Sequence, residues 1–258
     1  MNLLIDIGNT RIKWAAQCNQ RLHLVDAFVH RNQKTLSALL DQFWLNLEAP
    51  DSILICSVAG QHLNRQITEW CKQTWGIVPR LVSVNSAETE ITSHYCLQSL
   101  GVDRWMALLA LKDRFKLPAI VVDCGSAVTA DVLDEQANHL GGLIMPGLSM
   151  MRAILHQDTH ALPAISESAG DSIGLTTVQA ISSGTLNAVC GMIERFINNV
   201  KQQGCSDPGI VLTGGDAEHV AGALERPLTI EPNLVLLGLM LAAKLNSNSG
   251  KHQTAKNQ

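Results

Sequence analysis

Two stretches of this sequence repeat one pattern, an apolar run that leads into Asp-x-Gly and small polar residues. The first is LLIDIGNTRIKW, near the start of the chain, and the second is IVVDCGSAVTADVLD, near its middle. In both, the apolar run is typical of a buried strand, and the aspartate, Asp6 or Asp123, stands where that strand ends in a turn. A device that occurs once in each half predicts a fold of two similar halves.

The first copy has the residue types that hold a phosphate group. A carboxylate at a strand end, here Asp6, can hold magnesium through water molecules. Gly8 has no Cβ, so a bulky anion can approach the backbone closely. Asn9 and Thr10 offer donors beside the outward-pointing N–H groups of the turn, and Lys13 adds positive charge. The alternative for any single Asp-x-Gly is a hairpin turn with an Asx-type hydrogen bond.

The second copy favours the phosphate interpretation, because it supplies Asp123, Gly125, Ser126 and Thr129 after another apolar strand. Two such loops would grip the β- and γ-phosphates of a nucleotide from two sides. LTGGD adds a third glycine turn, at residues 213–215, which predicts a close approach of the backbone to a nucleoside. A plain strand-to-helix turn is the alternative for this third motif.

Composition bounds the class of protein. The 258 residues are 46% hydrophobic and 16% charged, which predicts a globular chain with a buried core. A net charge of −4 gives no general attraction to nucleic acid or anionic membranes, so neither is expected as a partner. The seven cysteines are odd in number and lack C-x-x-C spacing, which favours reduced thiols over a disulfide framework or a zinc site.

Targeting and metal signals are weak. MNLLIDIGN has no basic region and is interpreted as a first strand rather than a signal peptide. The apolar run that starts at Leu234 is too short to span a bilayer and predicts a buried helix. His156 and His160 have the i, i+4 spacing of some metal sites, but no Glu or Cys accompanies them.

The order of predicted elements supports two halves. Each half is expected to run strand, strand, strand, helix, strand, helix, and the helix before Pro118 must end ahead of that proline. We therefore predict half-domains at residues 1–116 and 117–245. Residues 246–258 are polar and poor in apolar side chains, which predicts a disordered tail.

The segment GVDRWMALLALKDRF has helical spacing, with Asp103 where an N-cap belongs. Asp103 is then either a helix cap or a general base, and a carboxylate at a helix start can serve as both. Arg104 can make bidentate contacts with a carboxylate or a phosphate, or form a surface ion pair.

Five motifs in order, DIGNTRIK, GVDR, DCGSAVTAD, GGLIMPG and LTGGD, resemble those of type III pantothenate kinases, within the ASKHA superfamily of acetate and sugar kinases, heat-shock chaperones and actin. The resemblance covers the chain from Asp6 to about Leu245. It implies an α/β fold of two similar RNase H-like half-domains, each a mixed five-stranded sheet flanked by helices.

The resemblance also implies roles for individual residues around ATP. Residues 6–13 would bind the ATP phosphates: Asp6, Ile7, Gly8, Asn9, Thr10, Arg11, Ile12 and Lys13. Ser126, where the family usually has threonine, would contact ATP through the hydroxyl that it retains. Asp123 would bind a monovalent cation, K⁺ or NH₄⁺, and Asp6 would hold Mg²⁺ through water.

Pantothenate would be bound by Gly101, Val102, Asp103 and Arg104, with Asp103 as the base, together with Thr177 and Tyr95. GGLIMPG would form a tight loop whose glycines Gly142 and Gly147 lie against the substrate. The stretch YCLQSLG from Tyr95 to Gly101 is one residue shorter than the family's usual spacing and lacks its proline.

The implied activity is ATP-dependent phosphorylation of pantothenate to 4'-phosphopantothenate, the first step of coenzyme A biosynthesis, by a cytoplasmic homodimer. Two alternatives stay open. One is a nucleotide-binding accessory regulator of transcription with the same fold, which would be expected to have lost Asp103 or the loop aspartates. The other is a kinase for another small hydroxylated acceptor, which should lack the pairing of GVDR with GGLIMPG.

Overall fold

The computed structural model describes residues 1–31, 35–84, 91–165 and 173–254, with side chains as far as Lys244. The chain forms two compact units. The first unit takes its described residues from Met1–Glu90, Cys96–Ala110 and Leu234–Gln258. The second unit takes them from Ile91–Tyr95 and Leu111–Asn233.

The first unit is built on a mixed sheet. Its strands are β1 (Asn2–Ile7), β2 (Arg11–Cys18), β3 (Arg21–Val29), β4 (Ser52–Ser57) and β5 (Arg80–Leu81), in the order β3-β2-β1-β4-β5. The strands β1, β2 and β3 form an antiparallel meander, whereas β4 and β5 run parallel to β1. Two helices, α1 (Leu36–Trp44) and α2 (Gln61–Trp75), connect the later strands.

Aromatic side chains dominate one face of this sheet. Trp44 is fully buried and contacts the rings of Trp14, Phe28, Trp70 and Trp75. Side chains alternate across a strand, so the core-facing positions of β1 are its odd-numbered apolar residues. Asp6 therefore faces the opposite side of the sheet.

The second unit repeats this strand order. Its strands are β6 (Thr92–Ser93), β7 (Ala119–Cys124), β8 (Ala127–Leu133), β9 (Asn138–Pro146), β10 (Gly209–Thr213) and β11 (Thr229–Ile230). They lie in the order β11-β10-β7-β8-β9-β6, with an antiparallel meander β7-β8-β9 and with β10 parallel to β7. The helices are α4 (Leu148–Gln157), α5 (Thr177–Gln202) and α6 (Ala217–Ala223).

The predicted duplication is confirmed, because the meander followed by two parallel strands occurs in both sheets. The second sheet departs from the expected five strands: in the described chain it has six, since β6 pairs in parallel with the outer edge of β9. Two helices, α4 and α5, also separate β9 from β10, where the sequence predicts the same order as in the first half.

The division of the chain differs from the predicted boundary at 116/117. The helix α3 (Val102–Arg114) starts in the first unit, which ends within it at Ala110. The last helix, α7 (Leu234–Thr254), contacts β1, β2 and β4 and so belongs to the first unit rather than the second. It also continues through residues 246–254, over most of the segment whose composition predicts disorder. None of the described helices is both long and apolar enough to cross a membrane.

Gly238 of α7 packs directly on α3, where an added Cβ would collide with the backbone carbonyl of Met106. We expect Gly238→Ala to lower the free energy of unfolding by about 1–3 kcal/mol through overpacking. Gly191→Ala is the matched control, because Gly191 is exposed in α5 and its added Cβ meets no atom within 4 Å. The control should gain up to about 1 kcal/mol from helix propensity. Chemical denaturation followed by circular dichroism measures both, and equal stabilities would contradict the close packing.

Candidate active site

Backbone hydrogen bonds fix the turn between β1 and β2, and the tip of the turn is exposed. The Gly8 N–H donates to the Arg11 carbonyl at 3.0 Å, and the Val58 N–H donates to the Ile7 carbonyl at 3.1 Å. His30 Nε2 lies 2.8 Å from the Gly8 carbonyl, which can only accept, so Nε2 carries the proton. Asn9 is exposed at the tip of this turn. The predicted phosphate loop is therefore a fixed turn with an outward polar side.

Two opposite charges of this motif face each other across the strands. Asp6 and Lys13 are register partners in the antiparallel β1–β2 pair, so their side chains share one face of the sheet. Both residues are half-buried. Ile7 and Ile12 are fully buried in the core, so of the predicted ATP-binding residues these two could reach a ligand only through their backbone.

A buried thiol, that of Cys56, is influenced by the charges of both Asp6 and Asp103. Cys56 is the register partner of Asp6 on β4, on the parallel side of β1. Burial raises the pKa of the Cys56 thiol well above its ordinary value, and the negative charges of Asp6 and Asp103 raise it further. The thiol thus stays neutral, and the two carboxylates of the first unit lie within electrostatic range of the same sulfur atom.

The predicted N-cap role of Asp103 is wrong by two positions. The helix α3 begins at Val102, and the Gly101 carbonyl accepts the first helical hydrogen bond, from the Trp105 N–H at 3.1 Å. Asp103 lies inside the first turn, where its Oδ1 accepts from the Arg104 N–H at 2.8 Å. The exposed N–H groups of a first turn favour a negative charge there, so the carboxylate is held as an anion at the start of the helix.

Gly101 makes room for this carboxylate. A Cβ at residue 101 would lie 2.5 Å from Asp103 Oδ1, closer than a Cβ approaches a non-bonded oxygen. In the GVDR motif, the Asp103 carboxylate therefore occupies space that a side chain at residue 101 would need. Arg104, next in the motif, is only 5% exposed, which excludes the surface ion pair as an account of it.

In the second unit three motifs meet at the end of β7. Gly125 and Ser126 form the turn between β7 and β8, closed by a bond from the Gly125 N–H to the Ala127 carbonyl at 3.2 Å. The Gly147 N–H donates to the Ser126 carbonyl at 3.0 Å, and an added Cβ at Gly147 would collide with the backbone of this turn. Gly147 thus lacks a side chain because it packs against this turn, and not because a substrate approaches it. Gly142 also lies outside any loop, within strand β9.

The Asp123 carboxylate lies in a cradle of glycines. A Cβ added to Gly125 would lie 3.4 Å from Asp123 Oδ1, and one added to Gly214 would collide with the same oxygen. Gly214 has a φ of +93°, a left-handed conformation that favours glycine. The Asp216 N–H donates to the Cys124 carbonyl at 3.0 Å. LTGGD therefore packs against the aspartate of the second Asp-x-Gly motif, an arrangement that the sequence does not indicate.

The two remaining predicted substrate residues occupy other features of the second unit. Thr177 is the first residue of α5 and lines a groove of about 950 Å³ between α4 and α5. The groove is mainly apolar, with Pro146, Met151, Ile154, Leu155, Leu162 and Leu175 along it. Tyr95 is half-buried and stacks on His139. Tyr95 is not among the lining residues of the groove.

A buried polar pair near Tyr95 has no counterpart in the sequence-based prediction. His139 Nε2 lies 2.8 Å from Asp131 Oδ1, and the side chains are 0% and 2% exposed. The two residues are eight positions apart on neighbouring strands; Asp131 is the last residue of the DCGSAVTAD motif, and His139 lies in none of the motifs. The sequence signal that could have indicated this pair is the histidine itself, a polar residue in a strand predicted to be buried.

Known proteins are similar to this chain in sequence and in fold. Residues 2–199 match the family model of type III pantothenate kinases. A type III pantothenate kinase from Nitrosococcus oceani is 34% identical over 251 residues, which cover 95% of this chain and 94% of that protein.

Two solved structures have the same fold at lower identity. A protein described as a Baf family transcriptional activator, from Campylobacter jejuni, has a TM-score of 0.62 at 22% identity, with 95% of this chain and 99% of that one covered. The activator of 2-hydroxyisocaproyl-CoA dehydratase from Clostridium difficile, solved with bound ADPNP, has a TM-score of 0.56 at 12% identity, with 98% and 97% covered. The family match and the curated relative together establish that this chain belongs to the type III pantothenate kinase family.

Proposed function

We propose that this chain phosphorylates pantothenate with ATP, giving 4'-phosphopantothenate, the first step of coenzyme A biosynthesis. The observation that carries the proposal is that Asp6 shares one face of the first sheet with Lys13, and that Asp6 and Asp103 both raise the pKa of the buried Cys56 thiol. A phosphate-binding turn and a base for the acceptor hydroxyl are the parts that a small-molecule kinase needs. Membership of the family supplies the identity of the acceptor.

Asp103 would act as the general base. As the bond between the pantothenate oxygen and the γ-phosphorus forms and the bond to the ADP oxygen breaks, the hydroxyl proton passes to the Asp103 carboxylate. The carboxylate is suited to this because its Oδ1 accepts a hydrogen bond from the Arg104 N–H, which fixes the group at the start of α3. Since such transfer depends mainly on alignment, the fixed position over Gly101 matters as much as basicity.

The turn of residues 6–13 would bind the phosphates of ATP, and Ser126 would also contact ATP. The N–H groups and polar side chains of the turn suit an anion, and Lys13 adds charge on the face of Asp6. Asp6 is a half-buried carboxylate at a strand end, and it fits a magnesium ion held through water. Bound Mg²⁺ would neutralise part of the charge on the β- and γ-phosphates.

Asp123 would hold a monovalent cation, K⁺ or NH₄⁺. Its carboxylate is half-buried and lies in a cradle that side chains at 125 or 214 would fill. Such a site offers oxygen ligands without steric competition, which fits a large cation of single charge. The cation would offset negative charge of the triphosphate.

Pantothenate would be bound by Gly101, Val102 and Arg104 beside the base, and by Tyr95 and Thr177. A buried guanidinium such as that of Arg104 is a strong partner for a carboxylate, and pantothenate has one. Thr177 presents its side chain at the start of α5, where the helix offers N–H donors.

The enzyme would work as a homodimer in the cytoplasm. Large apolar side chains lie exposed in the second unit, among them Ile173 at 91% and Leu175 at 90%, and Leu175 and the half-exposed Ile154 line the groove that also contains Thr177. An exposed apolar surface of this kind marks an interaction site. All seven cysteines are free thiols, which suits a reducing compartment.

Asp103→Asn tests the base. Asparagine keeps the shape and can still accept from the Arg104 N–H, but it cannot take a proton at neutral pH. We expect turnover to fall by about 10²–10⁴-fold with ATP affinity nearly unchanged. A coupled ADP assay and calorimetry of ATP binding measure the two quantities. Asp113→Asn, on the exposed far end of α3, is the control, and substantial activity in Asp103→Asn would remove Asp103 from this role.

Gly101→Ala tests the positioning of the base without changing its chemistry. The added methyl group must displace the Asp103 carboxylate, so we expect kcat to fall by about tenfold or more. Thermal stability should change little, because the group displaced is the end of a side chain. If Gly101 acts through Asp103, the double variant with Asp103→Asn will be no slower than Asp103→Asn alone. Additive losses would show a separate role for Gly101.

Leu175→Asp tests the dimer. Sedimentation velocity of the wild type should give twice the chain mass of 27.9 kDa, and a buried charge at residue 175 should shift the protein toward the monomer. Val78→Asp is the matched control, since Val78 is 65% exposed but lies in the first unit. A monomeric wild type, or an unchanged mass for Leu175→Asp, would contradict this interface.

A further inference from the structure

A continuous chain of hydrogen bonds in the second unit leads from a buried carboxylate to Tyr95. Asp131 Oδ1 lies 2.8 Å from His139 Nε2, and His139 Nδ1 lies 2.9 Å from Ser93 Oγ. Ser93 Oγ in turn accepts from the Tyr95 N–H at 3.1 Å. The residues come from three segments, β8, β9 and β6 with the two residues that follow it, so the chain is a tertiary and not a local feature.

A bulge in the sheet brings the histidine to the aspartate. The β8–β9 register pairs Val132 with Gly141 but Leu133 with His139, so Leu140 is the extra residue. With regular pairing, His139 would lie opposite residue 134 and face away from Asp131, because side chains alternate. The bulge turns His139 onto the face of Asp131, and Gly141 accommodates it with a φ of +128°.

With an ionised Asp131 and a neutral His139 ring, the hydrogen bonds have one consistent direction. An ionised Asp131 only accepts, so His139 Nε2 carries a proton and, in the neutral ring, Nδ1 is an acceptor. The Ser93 hydroxyl then donates to Nδ1, which leaves its lone pairs for the Tyr95 N–H. In this tautomer the Ser93 hydroxyl hydrogen points to His139, so the orientation of the Ser93 hydroxyl follows from the buried pair.

Tyr95 is held at two points by the same residues. Its backbone N–H is bound by Ser93, and its ring stacks on the His139 ring, with centroids 5.8 Å apart at 29°. The parallel pairing of Ser93 with His139 places the two contacts side by side.

We propose that Asp131, His139 and Ser93 form a positioning relay that fixes Tyr95 for binding of the acceptor substrate, the hydroxylated carboxylic acid that the kinase phosphorylates. The proposal rests on the proposed role of Tyr95 in the substrate site. None of the three relay residues touches substrate; they act through Tyr95.

The chain contains one tyrosine, which gives the relay a direct spectroscopic readout. Protein labelled with ¹³C at the tyrosine ring should show a single signal from Tyr95, shifted by the ring current of His139. Ser93→Ala removes the hydroxyl and should move or broaden this signal. Ser93→Thr keeps the hydroxyl and suits a strand, so it should restore the signal. Thr92→Ala removes an exposed hydroxyl from the same short strand and is the matched control.

Steady-state kinetics show whether the position of Tyr95 matters for the substrate. We expect Ser93→Ala to raise KM for pantothenate about five- to tenfold, the loss of one hydrogen bond, with kcat and KM for ATP within about twofold of wild type. Ser93→Thr should recover the wild-type KM. Tyr95→Ala should raise KM for pantothenate at least as much as Ser93→Ala does.

The outcomes separate the relay from the function on which it rests. If Tyr95→Ala raises KM for pantothenate and Ser93→Ala changes neither KM nor the tyrosine signal, the relay is overturned and the role of Tyr95 stands. If Tyr95→Ala leaves KM unchanged, the role of Tyr95 fails and the relay with it. Ser93→Ala could instead lower kcat and stability and change the KM values for both substrates, with no recovery in Ser93→Thr. That result would show a structural role only and would also overturn the proposal.

Discussion

The alternation of side chains along two buried strands controls the placement of the chemistry in this protein. In β1 the odd-numbered residues enter the aromatic core, and in β7 the residues Ile120, Val122 and Cys124 enter the second core. Asp6 and Asp123 therefore project from the opposite faces, each at the end of its strand. The energy of the two hydrophobic cores holds two carboxylates that would otherwise be costly to fix in half-buried positions.

Glycine contacts then define the space around each carboxylate. Gly101 leaves the volume that Asp103 occupies, and Gly214 leaves the volume beside Asp123. In both cases the absent side chain allows a carboxylate to lie close to the glycine backbone. The two units thus use the same device, beside a candidate base in one and a candidate cation ligand in the other.

Local patterns in the sequence were sufficient for most of the fold. Apolar runs of strand length gave β1, β7 and β10, and the duplicated motif gave the two sheets with one strand order. The features that the sequence did not show depend on contacts between distant residues. Strand β6 joins the sheet of the other half, and α7 packs on β1 at the far end of the chain. No local periodicity reports on such pairings.

The features of the candidate site likewise fall into those that the sequence indicates and those that depend on contacts between distant residues. Asp6, Asp103, Asp123 and Ser126 could be chosen from the motifs because their residue types and order are characteristic. The packing of Gly147 on the turn of Ser126 and the pairing of His139 with Asp131 could not, because one needs a tertiary contact and the other needs a β-bulge at Leu140. A single residue of slippage in that register would point His139 to the other face.

The most direct test of the account is a coupled ADP-release assay of the purified protein with ATP, magnesium and pantothenate, run in potassium and then in sodium alone. The account predicts pantothenate-dependent release of ADP that is fast in potassium and much slower in sodium, with the difference lost in Asp123→Ala. Intact ATP binding without any pantothenate-dependent turnover in either salt would contradict it.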